Sequence, residues 1–149
     1  MLTKAVVCSA LVALVAVSVA AQSAAQSTAP TASLVAGSEL KWVDVPDTPA
    51  KMATVKGDPA RGPHASFIKL PGGFSAPLHS HTADHDVVVV SGTLTMTPEG
   101  GTAKKLGPGS WFEFTGKKKH VTTCDAGADC VLFIAAKAAW DLVPAVPVK

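Results

Sequence analysis

The stretch PLHSHTADHDVVVVSG, from Pro77 to Gly92, contains three of the five histidines in the 149-residue chain. His79 and His81 lie two residues apart, and His85 follows the short segment TAD. Alternate residues of a strand point to the same face, so His79 and His81 are predicted to project together. His85 joins them on the inward face if the strand restarts in register. Neutral imidazoles placed in this way can bind one metal ion, which makes this stretch a candidate metal site.

The sequence around this stretch predicts an all-β domain. From residue 39 onward, short runs of β-forming residues are separated by Gly, Pro and Asp, and a 3.6-residue apolar repeat is missing. The segment AAKAAWDL (135–142) is the exception, because it could form one or two helical turns. Regularly spaced short strands favour a sandwich or barrel. The predicted strands are KWVDV (41–45), KMATV (51–55), HASFIKL (64–70), DVVVV (86–90), TLTMT (93–97), SWFEF (110–114), HVTTC (120–124) and CVLFIAA (130–136).

Residues 1–21 have the features of a bacterial-type signal peptide. Lys4 precedes a run that consists mainly of Ala, Val and Leu and reaches Ala21, and Val19 with Ala21 satisfies the small-x-small rule for cleavage before Gln22. A membrane anchor is the alternative, but the run is rich in Ala and shorter than the roughly 20 strongly apolar residues of a spanning helix. No Arg-Arg pair precedes it, so twin-arginine export is not predicted. We therefore expect a periplasmic or secreted protein without a stable membrane anchor, which acquires any metal outside the cytoplasm.

The residues after the signal peptide divide into a linker and one domain. Residues 22–38 read QSAAQSTAPTASLVAGS and have almost nothing to bury, so they are predicted to be a disordered linker. Residues 39–149 are predicted to form the domain. Of thirteen Lys and Arg residues, twelve remain without Lys4, against eleven Asp and Glu. A nearly neutral domain lacks the basic surface of a nucleic-acid-binding protein.

Two cysteines remain once the signal peptide, with Cys8, is removed. Cys124 and Cys130 bound the turn-rich segment CDAGADC. An even pair in an oxidising compartment favours a disulfide. Two free thiols or a pair of metal ligands are the alternatives.

The spacing around the histidines resembles the first motif of the cupin superfamily. That motif is G-x5-H-x-H-x3-E-x6-G, and its positions fall on Gly73, His79, His81, His85 and Gly92. Every spacing matches. One residue differs, because His85 stands where most cupins carry Glu.

The second cupin motif, G-x5-P-x-G-x2-H-x3-N, is similar to GSWFEFTGKKKHVTTC (109–124) only in part. Gly109 and His120 keep their spacing. Thr115, Lys117 and Cys124 replace the Pro, Gly and Asn of the motif. The resemblance as a whole covers about residues 62 to 136.

The resemblance implies a cupin-type double-stranded β-helix, or jelly-roll barrel, with one metal ion inside it. Asp86 is an alternative to His85 if the strand register shifts by one residue. His64 lies outside both motifs and is expected to be an ordinary surface or strand residue. The implied ligands are His79, His81, His85 and His120.

A ligand set of four histidines has chemical consequences. Imidazoles are neutral, so a divalent ion keeps its full charge and acts as a stronger Lewis acid. Fe, Mn, Cu, Ni and Zn are all compatible with nitrogen ligands. The resemblance implies a metal-dependent, dioxygenase-type oxidoreductase acting on a small carbonyl or carboxylate compound. A non-catalytic cupin that binds or senses a metal or small molecule is the competing hypothesis, and a β-sandwich whose histidines bind nothing is a third.

Three further features complete the sequence-based expectations. Glu113 alternates with Phe112 and Phe114, so it is expected to face solvent or a partner if the phenylalanines face the core. Lysines 117–119 either form a solvated turn or place positive charge at the pocket mouth, where it would attract carboxylates. The run from Val87 to Val90 is apolar on both strand faces, which is compatible with a homodimer.

Overall fold

The computed structural model describes residues 32–145. The predicted signal peptide and most of the predicted linker, through residue 31, lie outside the described residues. The last linker residues and Glu39 form a short 3₁₀ turn, Gly37–Glu39. In the described part of the chain, no helix is long and apolar enough to cross a membrane.

Two antiparallel sheets make up the fold. The first has six strands in the order β1-β2-β3-β10-β5-β8, and the second has five in the order β11-β4-β9-β6-β7. This architecture confirms the predicted all-β jelly-roll barrel. The strands are β1 (Val43–Asp44), β2 (Lys51–Gly57), β3 (His64–Leu70), β4 (Ser75–Ser80), β5 (His85–Ser91), β6 (Leu94–Pro98), β7 (Lys104–Leu106), β8 (Trp111–Phe114), β9 (His120–Cys124), β10 (Cys130–Ala136) and β11 (Val143–Pro144).

Alternating burial along the strands explains how the two sheets pack. In β3 and β10 every second residue is buried, from the first residue to the last. These side chains point between the sheets, while their neighbours point outward. Val87, Val89 and Leu94 lie at the centre of the core and are almost fully buried. Each contributes about 1.5–3 kcal/mol through the burial of its apolar surface.

Each of the eight segments named above overlaps an observed strand, and the described residues contain three more strands, one of which includes His79. The additional strands are β4, β7 and β11. Residues 135–142, which could have formed a helical turn, instead finish β10 and continue without a helix. The Trp140 amide donates a hydrogen bond to the Pro59 carbonyl at 2.7 Å. This tertiary contact outweighs the helical propensity of the alanines.

The disulfide between Cys124 and Cys130 is present and joins the end of β9 to the start of β10. Both cysteines are fully buried. Gly92 lies against this bond with a φ of 77°, and a β-carbon there would lie 2.9 Å from the Cys130 sulfur. Only glycine fits such an approach in a left-handed backbone conformation.

Candidate metal centre

Four buried histidines gather at one end of the barrel. His79 lies on β4 and is the cross-strand partner of His120, the first residue of β9. His81 follows β4 directly, and His85 is the first residue of β5. The ring centroids of His79 and His120 are 4.4 Å apart, and those of His79 and His81 are 5.0 Å apart. The strand ends of both sheets therefore bring the four predicted ligands together.

Three of the four imidazoles form a set that could hold a metal ion. One ligand nitrogen from each of His79, His81 and His120 lies within 4.8 Å of the other two. His85 lies beside this set rather than in it. Its ring centroid is 4.9 Å from that of His81 and 6.3 Å from that of His120. Asp86 is only partly buried and pairs with Glu113 across β5 and β8, whereas His85 is buried on the inner face.

Backbone hydrogen bonds fix the tautomer of all four imidazoles. Nδ1 of His79, His85 and His120 donates to the carbonyl two residues earlier in the chain, at 2.7, 3.0 and 3.1 Å. Nδ1 of His81 donates to the Asp141 carbonyl. Because a carbonyl can only accept, each Nδ1 carries the proton and the lone pair resides on Nε2. This arrangement is typical of metal-binding histidines.

Burial keeps these imidazoles neutral. Desolvation lowers the pKa of His79 and His85, although hydrogen bonds to the Pro77 and Ala83 carbonyls oppose the shift. It also lowers the pKa of His81 to about 3 and that of His120 to about 4, with neighbouring histidines adding to the effect. A neutral imidazole is the form that binds a metal ion, so this site needs no proton loss near neutral pH.

A C-terminal segment, residues 137–145, completes the site and was not identified from the sequence. The Trp140 ring stacks on His81 with the ring centroids 4.0 Å apart. The Asp141 carboxylate accepts hydrogen bonds from the amide of Thr82, at 2.7 Å, and from its hydroxyl. His81 and Asp141 are 60 residues apart in the chain, so local spacing carries no signal of their contact.

The loop before His120 contacts the loop that carries His81 and Asp84. Lys117, at the Gly position of the motif, has a φ of 68°. Its amide donates to the His81 carbonyl at 2.7 Å, and the Gly116 amide donates to the Asp84 carboxylate at 2.7 Å. A β-carbon on Gly116 would collide with the Thr82 carbonyl. The loops of the two motifs are therefore in direct contact beside the histidines.

An apolar cavity of about 90 Å³ opens next to the histidines. No Asp, Glu, Lys or Arg of the described residues lines it. Lysines 117–119 are exposed, and the Lys119 ammonium pairs with Glu99 at 3.2 Å. This placement favours a solvated turn over positive charge in the cavity. Besides the four histidines, the lining consists of Val45, Thr48, Ala50, Ile68, Leu70, Phe74, Ala76, Val87, Met96, Phe112, Thr122, Leu132, Ile134, Trp140 and Leu142.

Two other residues singled out in the sequence lie outside the cavity lining. Glu113 is exposed, as expected from its alternation with the phenylalanines of β8. His64 is buried at the start of β3, and its Nδ1 donates to the Gly62 carbonyl at 3.2 Å. Among the described residues its Nε2 has no hydrogen-bond partner. His64 is therefore a buried strand residue rather than a surface one.

Solved structures of cupin proteins share this jelly-roll fold. The chain belongs to the family described as "Domain of unknown function (DUF4437)", whose model matches residues 21–143. A search of curated proteins found no match.

Three similar solved structures all share low sequence identity with this chain. The polyketide cyclase RemF from Streptomyces resistomycificus is 16% identical, with a TM-score of 0.68 over 79% of this chain and 88% of that one. An RmlC-like cupin protein from Ralstonia eutropha is 21% identical, with a TM-score of 0.61 over 78% of each chain. KdgF from Halomonas sp. is 23% identical, with a TM-score of 0.58 over 70% of this chain and 94% of that one. At these identities the similarity concerns the fold.

Proposed function

We propose that this protein is a metal-dependent cupin whose ion is held by His79, His81 and His120, with His85 as the fourth ligand. The ion is a divalent transition metal: Fe, Mn, Cu, Ni or Zn. The proposal rests on the convergence of neutral imidazoles whose Nδ1 atoms all donate hydrogen bonds to backbone carbonyls. Nitrogen ligands of this kind suit these metals and do not select strongly among them.

The reaction we propose is an oxygenase reaction on a small carbonyl compound. When bound, the metal would supply Lewis acidity toward a carbonyl oxygen. The chain contributes the rest: apolar walls such as Ile68, Phe112 and Leu132 exclude water and hold the apolar part of the substrate. Trp140 fixes the orientation of His81 by stacking on it. The name of the similar polyketide cyclase, which describes an enzyme, supports catalysis in a barrel of this kind.

The lining favours a carbonyl compound over a carboxylate. A carboxylate in an apolar cavity loses its hydration, and its burial is costly unless an opposite charge compensates it. The only compensating charge that we propose here is the metal ion itself, because the described lining residues carry none at neutral pH. An uncharged substrate that contacts the metal through one or two oxygen atoms fits this environment better.

One observation favours a second candidate, a cupin that binds or senses a small molecule without turnover. The chain contains no Tyr, and among the described residues the cavity lining has no carboxylate or amine. Only the imidazoles could then move a proton, and metal binding would occupy their free nitrogens. A site without a general base suits a binding protein.

We also propose that the protein is exported. The support comes from residues 1–21 and from the Cys124–Cys130 disulfide, since disulfides persist mainly outside the cytoplasm. Mass spectrometry of the protein from its producing cell should give a mature chain that begins at Gln22. An intact residue 1 would contradict cleavage.

Elemental analysis of the native protein tests the metal proposal. We expect about one transition-metal ion per chain, since the histidines form one compact cluster. The double variant His79→Ala/His81→Ala should lose the ion. The matched control His64→Ala, which removes a buried histidine outside the cavity lining, should retain it. Circular dichroism spectra of all three proteins establish that they are folded.

The identity of the ion then separates the two functions. Iron, manganese or copper, together with dioxygen uptake in the presence of small carbonyl compounds, would support the oxygenase. A tightly held zinc ion without turnover would support the binding protein. A native protein with no metal would overturn the ligand assignment and the oxygenase, and would leave only a β-barrel that binds a small molecule.

A further inference from the structure

The outer face of the six-stranded sheet carries a continuous apolar row. Phe67 on β3, Phe133 on β10, Val88 on β5 and Trp111 on β8 are consecutive cross-strand partners. Phe67 and Phe133 also contact each other edge to face, with ring centroids 5.2 Å apart. In each strand, the residues immediately before and after these four point into the core. The row itself therefore lies on the outer face of the barrel.

Three apolar side chains on this face, two of them in the row, are exposed. Trp111 is 57% exposed, Val90 is 46% exposed and Val88 is 37% exposed. Elsewhere on the chain, the Lys69 ammonium on β3 lies 4.6 Å from the centroid of the Trp42 ring. Exposed aromatic and aliphatic groups that adjoin one another commonly mark an interface.

A second row on the same face carries opposite charges at its two ends. It runs across five strands as Lys56, Ala65, Ala135, Asp86 and Glu113, each the cross-strand partner of the next. The lysine is therefore at the β2 end, and the two carboxylates are at the β5 and β8 end. Between them lie two alanines, which leave room for a close approach.

We propose that this face binds a second copy of the same chain around a two-fold axis parallel to the strands. Rotation about such an axis places β2 of one copy over β8 of the other. It leaves each cross-strand row at the same position along the strand direction, so each row faces its own equivalent. The apolar row of one copy then packs against the apolar row of the other. In the charged row, the Lys56 end of one copy lies over the acidic end of its partner, twice per dimer. Isologous contacts of this kind are self-complementary, as a closed dimer requires.

The alternative two-fold axis, perpendicular to the strands, fits the charges poorly. It would place β2 over the partner's β2 and β8 over the partner's β8. Lys56 on β2 would then face the partner's β2, and Glu113 on β8 would face the partner's β8. Like charges placed together across an interface cost free energy, so the charge pattern selects the parallel axis.

A charge-reversal experiment tests both the interface and its axis. Sedimentation velocity over a concentration series measures the dimer dissociation constant of the native protein and its variants. We expect Lys56→Glu and Glu113→Lys each to weaken the dimer about tenfold, since each change places like charges together at two symmetric positions. The double variant Lys56→Glu/Glu113→Lys should restore association to within about threefold of the native value. Both residues are exposed, so the fold tolerates these changes.

Two further variants complete the design. Trp111→Ala should weaken the dimer by about tenfold or more, because large aromatic groups dominate interface energies. Lys104→Glu, a matched charge reversal on β7 of the other sheet, should leave the dissociation constant unchanged. A native protein that stays monomeric at every concentration would overturn the proposal. So would a dimer that is insensitive to Trp111→Ala, or single reversals that the double variant does not rescue.

Discussion

The buried side chains at the two ends of β9 are held in place by different interactions. At the first end, His120 is oriented by a hydrogen bond to the Lys118 carbonyl and by stacking on Phe114, with the ring centroids 4.0 Å apart. At the last end, Cys124 is tied covalently to Cys130 and is fully sealed from solvent. One end borders a cavity that can admit a ligand, and the other is closed.

This contrast indicates a division of tasks along the barrel. The histidine end is arranged by hydrogen bonds, which orient a side chain while leaving its second nitrogen free for binding. The cysteine end is fixed by a cross-link that restricts the unfolded chain and leaves no group free to react. Metal binding and covalent stabilisation should therefore be separable by mutation.

The largest expected effect is loss of the metal from single histidine variants. His79→Ala should lower the metal content of the purified protein to about a tenth of the native value or less, because it removes one of three converging nitrogens. His85→Ala should cause a smaller loss, since His85 lies beside the three-histidine set. Asp86→Asn should change nothing, because Asp86 lies outside the cavity lining. Loss of metal from Asp86→Asn with full retention in His85→Ala would reverse the assignment.

The next effect concerns pH and the metal-free protein. Burial lowers the pKa of His81 from 6.5 to about 3. Between these two pKa values the unfolded chain binds more protons than the folded chain. The contribution of His81 to the free energy of unfolding is therefore fully present above pH 6.5 and is lost as the pH falls. One such imidazole accounts for up to about 1.4 kcal/mol per pH unit. Urea unfolding after chelator treatment should show a lower midpoint at about pH 5 than at about pH 7.5.

A matched variant separates this effect from the titration of carboxylates. His81→Gln removes the imidazole but keeps a polar side chain, so its unfolding midpoint should depend less steeply on pH. An equally steep dependence in the variant would show that His81 is not responsible.

Removal of the disulfide should reduce stability without affecting the metal. The double variant Cys124→Ala/Cys130→Ala opens a short loop, for which the chain-entropy model gives a loss of about 2 kcal/mol. Thermal unfolding should occur about 5–10 °C lower. Elemental analysis should still find the native metal content. A variant that unfolds at lower temperature and also loses the metal would show that the two ends of β9 are coupled.

The smallest expected effect is at Lys117. A lysine with a φ of 68° is strained, and glycine adopts this conformation readily. Lys117→Gly should therefore raise the free energy of unfolding by about 0.5–1 kcal/mol, partly offset by the larger entropy of the unfolded glycine. Lys118→Gly, at an exposed neighbour without a positive φ, should not stabilise the protein. Chemical denaturation of both variants measures the difference.

The regular part of the fold could be predicted from the sequence because it depends on local patterns. Segments 64–70, 120–124 and 130–136 were predicted with the bounds that the structure shows. Their alternating apolar residues report which face is buried. The four histidines could likewise be brought together from spacing and resemblance alone.

What the sequence did not reveal depends on contacts between distant residues. β7 contains two lysines and one leucine, and β11 has only two residues. Neither strand is long enough to show the alternation of apolar and polar residues that predicts a strand. Trp140 and Asp141 contact His81 from a segment whose composition suggests a helix. Lys117 replaces a motif glycine, yet the amide hydrogen bond to the His81 carbonyl keeps the turn. Contacts of this kind between distant residues can be identified only in the folded structure.

The hydrogen bonds from Nδ1 have a consequence for how this protein could evolve. Each imidazole is oriented by a backbone carbonyl, which every amino acid supplies. Apart from Trp140, which stacks on His81, the side chains of the cavity wall can therefore vary without removing the hydrogen bonds that orient the histidines. A lineage that inherits this barrel can adapt its cavity to new compounds by single substitutions while the histidine cluster is preserved. The same property makes the cavity wall a suitable target for directed evolution.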